Sequence, residues 1–90
     1  MLWAKLLEIG TTARGNRNMS LDELMTVVLR LCATGGWLTR HELAELVGRS
    51  ASNLQNRTLA AMVSEGRLTM RFPARNHPLQ AYRATGAQPA

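Results

Sequence analysis

A single cysteine, Cys32, stands in a chain of 90 residues. One thiol excludes an internal disulfide and a cysteine-rich zinc site, and it fits a reducing, intracellular setting. Long apolar runs are missing too, and none approaches the roughly 20 residues that span a bilayer. At the start, Leu2 to Ile9 is broken by Lys5 and Glu8, which does not suit a secretory signal, so a cytoplasmic location is expected. Histidine is scarce: His41 and His77 fall in different predicted elements, with no nucleophile–base spacing around them. These two and Cys32 are too scattered to hold a metal. The glycines stand singly or as Gly35-Gly36 and form no phosphate-cradling loop. The chain is therefore expected to be no enzyme, with no cofactor and no metal.

Acidic residues are nearly absent from the second half. Residues 1–48 hold five basic and five acidic side chains, which cancel. Residues 49–90 hold Arg49, Arg57, Arg67, Arg71, Arg75 and Arg83 against Glu65 alone, so the whole net charge of +5 lies there. Ten of the eleven cations are arginine, the side chain that grips phosphate or guanine with two parallel hydrogen bonds. This asymmetry points to an anionic partner, nucleic acid first and an acidic protein surface second.

What is present fits one domain, since a chain this short buries only about 60–65% of its extended surface. Hydrophobic residues at 46% argue against disorder. The opening LWAKLLEI reads as a short helix that must dock or fray, and GTTARGNRNM as a linker. Residues 1–18 are thus expected to be a helical segment plus linker, residues 19–85 the compact domain, and residues 86–90 a disordered tail. Ser20-Leu21-Asp22-Glu23 is a capping box, followed by an apolar stripe of Leu21, Leu24, Met25, Val28, Leu29 and Cys32 that ends at Gly35-Gly36. Trp37-Leu38 reads as a short strand. Thr39-Arg40-His41-Glu42 is a second box that opens a helix closed by Gly48, and Ser50 caps a third helix over about Ala51–Glu65. Beyond Gly66 the period falls to two: Leu68, Met70 and Phe72 alternate with Arg67, Thr69 and Arg71. A proline-bounded turn, Pro73 to Pro78, leads to a return strand over Leu79–Ala84.

This order predicts an α+β fold, mainly α: a winged helix-turn-helix of three helices plus a β-hairpin wing, preceded by a short N-terminal helix. The third helix is the recognition candidate. A 100° wheel puts Leu54, Thr58, Leu59 and Met62 inward and Asn53, Asn56, Arg57, Ala60 and Ser64 outward, with Gln55 between. Asn can bridge adenine N6 and N7, and Arg can bridge guanine O6 and N7. Small Ala60 would let the helix sit close to a groove floor. Ser50 and Ser52, with the free N–H groups of the helix start and Arg49 beside them, can hold a phosphate, although capping is the simpler role for Ser50. On the wing, Arg71, Arg75 and His77 are placed to reach backbone or minor groove. Arg14 and Arg17 could form a flexible arm.

The stretch LTRHELAELVGRSASNLQNRTLAAMVSEGRLTMRFPARNHPLQAYR resembles the winged helix at the C-terminus of bacterial ATP-binding proteins that carry a Schlafen-type AlbA domain and are described as helicase-like or as transcriptional regulators. The resemblance covers about residues 20–85, and NHPLQAYR is its most distinctive piece. It implies a DNA-binding appendage of a larger regulatory protein, while the ATP-binding and AlbA parts have no counterpart here.

Two functions follow as expectations. In the first, the chain binds duplex DNA, with Asn53, Asn56 and Arg57 in the major groove and Arg49, Arg71 and Arg75 on phosphates. In the second it is an interaction module, docking on a parent protein or on a second copy through the apolar segment around Trp3 and Leu7. No membrane partner is expected.

Overall fold

The computed structural model describes residues 2–16, 18–74 and 77–85. Arg17, Arg75 and the expected tail 86–90 lie outside the described residues. Helix α1 spans Leu2–Arg14 and so continues through the first half of the expected linker. Gly10 read as a break in the sequence, but it is a place of close approach. A Cβ built there would lie 2.2 Å from the Leu46 carbonyl oxygen, so the missing side chain lets α1 cross the end of the helix that carries Leu46. Leu6 and Ala13 of α1 are buried in the common core. The boundary expected near Met19 is therefore no boundary of packing.

Two arginines fasten that crossing. Arg14 donates to the Leu46 carbonyl at 2.6 Å, to Thr11 Oγ1 at 2.9 Å and to the Leu7 carbonyl. Arg49 donates to the carbonyls of Ala13 at 3.0 Å, Val47 at 3.0 Å and Asn16 at 2.9 Å. Arg14 thus meets a helix C-terminal end at Leu46, and Arg49 meets two such ends at Ala13 and Val47, where the backbone carries partial negative charge. This geometry takes Arg14 out of any flexible arm.

Helix α2 spans Leu21–Gly35 and begins on Ser20, whose Oγ accepts from the Glu23 N–H at 3.2 Å and donates to the Glu23 carboxylate at 3.0 Å. Its buried set is Leu24, Met25, Val27, Val28, Leu31 and Cys32. The arc is wider than the stripe expected from the sequence because α1 covers a second side of α2. Leu21, expected inside, is 48% exposed. Burial pushes the Cys32 thiol up from its ordinary 9.0 to about 12, since a thiolate there would have no water around it.

Strand β1 is Leu38–Thr39, one residue later than expected, and helix α3 is Arg40–Val47. Thr39 and Glu42 form the full reciprocal box: the Glu42 N–H donates to Thr39 Oγ1 at 3.1 Å, and the Thr39 N–H donates to Glu42 Oε1 at 2.9 Å. Gly48 ends α3 at φ 68°, a left-handed conformation that favours glycine. After this tight turn the chain is helical over residues 51–64, here α4, in three parts: Ala51–Asn53, a π-helical segment Leu54–Leu59, and Ala60–Ser64.

Strands β2, Leu68–Met70, and β3, Ala81–Ala84, complete an antiparallel sheet of order β1-β3-β2. Tyr82 pairs with Leu38 on one side and Met70 on the other, so β3 joins the hairpin to the start of α3. The result is a mostly helical α+β fold. Leu6 from α1, Val28, Leu31 and Cys32 from α2, Leu43, Leu46 and Val47 from α3, and Leu54, Leu59 and Met62 from α4 meet in one core against Leu68 and Tyr82. Among the described residues no helix is long and apolar enough to cross a membrane.

Candidate functional site

The first half of α4 brings most of the predicted residues together. Ser50 accepts the Asn53 N–H on its Oγ at 3.1 Å and so serves as the cap. Ser52, Asn53, Asn56 and Arg57 are all exposed, and no residue of the helix is acidic before Glu65. An uninterrupted surface of hydroxyl, amide and guanidinium groups results. Glu65 turns to the next arginine, with its carboxylate 3.2 Å from Arg67 Nε, in the one ion pair among the described residues.

The π-helical segment decides what faces where. The Ala60 N–H bonds the Gln55 carbonyl, an i→i+5 contact that fits an extra residue into the turn. Leu54 and Gln55 are both buried, as are Thr58 and Leu59. Gln55, undecided on the wheel, points inward, and its Oε1 accepts from Arg40 of α3 at 2.6 Å. Ala60 leaves the outer face where the wheel had placed it. It is half-buried and lines a small crevice with Val63, Met70 and Tyr82. A uniform 100° step fails here because the helix is not uniform.

Arg49 is not a free basic group. Its three backbone contacts hold it half-buried beside the start of α4, and a carbonyl leaves the guanidinium charge unneutralised. Arg83, one of the six arginines of the basic second half, lies over the Trp37 ring at 4.8 Å.

On the hairpin, Arg71 is exposed, with its guanidinium 5.6 Å from the centre of the Phe72 ring. His77 is no solvated loop tip. Its ring stacks on Phe72 at 4.0 Å and 7°, and its Nδ1 accepts the Leu79 N–H at 3.0 Å. Arg75 lies outside the described residues. Gln80 organises this loop, a role that sequence reasoning missed. Its side chain is buried, its Oε1 accepts from the Phe72 N–H at 2.9 Å, and its Nε2 donates to the carbonyls of Phe72 at 2.7 Å and Ala74 at 2.8 Å. The amide therefore extends the pairing of β2 with β3 past Arg71, where the prolines end the regular ladder. A glutamine at an inward position of the return strand was the available signal.

Among the described residues, no three His, Cys, Asp or Glu side chains gather as a metal site would need. Compared with known proteins, the chain matches no family model, no curated protein and no solved structure.

Proposed function

We propose that this chain is a winged-helix module that binds duplex DNA and forms part of, or derives from, a larger regulatory protein. The observation that carries the reading is the acid-free exposed face of Ser52, Asn53, Asn56 and Arg57 on a helix that follows a tight turn. The element order supports it: helix, short strand, helix, turn, helix and hairpin, with the last strand in the middle of the sheet. In this reading α3 and α4 are the helix-turn-helix pair, and α4 lies in the major groove. Asn53 and Asn56 read adenine, and Arg57 reads guanine. The helix start with Ser52 and the preset guanidinium of Arg49 take backbone phosphates, as do Arg71 and Arg75 on the wing. His77 acts through Phe72, stiffening the loop that carries these arginines.

The alternative, docking on a parent protein or on a second copy through α1, has less support. Leu6 and Ala13 are buried in the chain's own core, Trp3 and Leu7 pack half-buried against it, and Leu2 is 52% exposed.

The test is fluorescence anisotropy of a labelled random-sequence duplex across salt concentrations. Affinity should fall with a log–log slope near −0.9 per phosphate, for about three to five phosphates. Absence of binding at low salt overturns the proposal. Once a site is selected, Arg57→Ala should weaken specific binding by about 1–3 kcal/mol.

A further inference from the structure

A groove of about 300 Å³ opens between the first turn of α2 and the first half of α4. Leu21, Leu24 and Leu54 give it an apolar floor, and Arg49, Asn53 and Arg57 give it a polar side. Among the described residues, no carboxylate lines it. Leu21 is 48% exposed, an apolar side chain left in water beside the opening. Arg49 and Arg57 face the groove without a carboxylate partner, since the one ion pair among the described residues lies at Glu65 and Arg67. The guanidinium of Arg49 is already fixed by three carbonyls, so it loses little freedom on meeting an anion.

We propose that this groove binds a small organic anion with an apolar body, such as an aromatic carboxylate of one or two rings. The carboxylate meets Arg57 and Arg49, and the ring lies on Leu21, Leu24 and Leu54. Arginine supplies the paired donors that a carboxylate fits, and the volume is at the small end of ligand pockets. An inorganic phosphate would satisfy the arginines but leave the leucines wet. The apolar floor therefore selects the amphipathic ligand. Such a ligand covers Asn53 and Arg57, so it excludes DNA from the same face. That last consequence rests on the DNA reading above, whereas binding of the anion does not.

The experiment titrates 1-naphthoate into the full chain and follows backbone amides by two-dimensional NMR, with inorganic phosphate and 1-naphthalenemethanol as comparison ligands. Saturable shifts centred on Leu21, Leu24, Asn53, Leu54 and Arg57, with half-saturation below about 1 mM, are expected. Arg57→Ala and the neutral alcohol should each weaken binding about tenfold, and Leu21→Ser about threefold. Both replaced side chains are exposed, and the amide spectrum of each variant reports whether it is folded. Shifts that do not saturate or that avoid the groove overturn the proposal. So does phosphate binding as tight as naphthoate with Leu21→Ser unaffected, which would make the groove a plain anion seat. In a separate anisotropy titration, naphthoate should release bound duplex. Naphthoate binding without any DNA binding supports the groove and removes the DNA reading. DNA binding with no naphthoate binding overturns the groove proposal alone.

Discussion

Arg49 donates a hydrogen bond to the Ala13 carbonyl at 3.0 Å, across 36 positions of sequence. This contact, with those to Asn16 and Val47, ties the end of α1 to the turn between α3 and α4. Arg49→Ala should cost about 1.5–3 kcal/mol, the range for hydrogen bonds made by a charged group. Thermal unfolding and amide exchange within α1 check this. Arg49→Lys should restore only part of the loss, because an ammonium cannot span the same three carbonyls as a planar fork. An Arg49→Ala protein as stable as the wild type would show that the clamp contributes nothing.

Gly10→Ala sets two effects against each other. Alanine is favoured over glycine within a helix by about 1 kcal/mol. At this position, however, the added carbon would sit 2.2 Å from the Leu46 oxygen, and that oxygen is backbone. The clash should prevail, with a net loss of about 1–3 kcal/mol by chemical denaturation. Gly15→Ala is the comparison: its nearest neighbour would be 3.4 Å away, and stability should stay within about 0.5 kcal/mol.

Gln80→Leu removes the amide that holds Phe72 and Ala74. The expected cost is about 1–3 kcal/mol, with faster hydrogen exchange at the Phe72 amide. Gln80→Glu should show a pH dependence of definite sign. A carboxylate cannot donate to the carbonyls of Phe72 and Ala74, so the folded protein favours the protonated acid and raises its pKa above the unfolded value. The deficit against the wild type should therefore be largest near neutrality and shrink as pH falls.

Cys32, fully buried with its pKa raised to about 12, should not react with a disulfide reagent in the native protein and should react once in denaturant. Because the folded thiol holds its proton more tightly than the unfolded one, its contribution to stability is complete below about pH 9 and is lost as pH rises toward 12. Rapid labelling under native conditions would place the thiol nearer solvent than the core packing does.

The sequence was most informative where a local rule acts alone. Ser20, Thr39 and Ser50 marked three helix starts, and Gly48 marked the turn, because caps and left-handed residues depend on their immediate neighbours. It misled where the decisive partner lies far along the chain. Gly10 and Arg14 resemble a linker until Leu46 is placed against them. Arg49 looks like a surface cation until the end of α1 arrives. Leu21 fits the apolar stripe of α2 but stands at its margin. Of the candidate site, Ser52, Asn53, Asn56 and Arg57 were legible because exposure on a helix follows from what its opposite face buries. The hairpin was less so, since Phe72, His77 and Gln80 take their positions from one another rather than from strand periodicity.

The π-helical segment of α4 makes the aim of its polar face a matter of winding. Its wide turn absorbs one extra residue, so deleting one residue between Leu54 and Leu59 would close an ordinary α-helix and leave the two ends of the helix aimed as they are. Rewinding the same residues as an ordinary α-helix would instead turn those ends relative to each other by about 100°. Met62 is anchored in the core, so the turn would fall on Asn53. A change of winding within this one helix can thus redirect which surface the molecule presents, with every side chain in that surface unchanged.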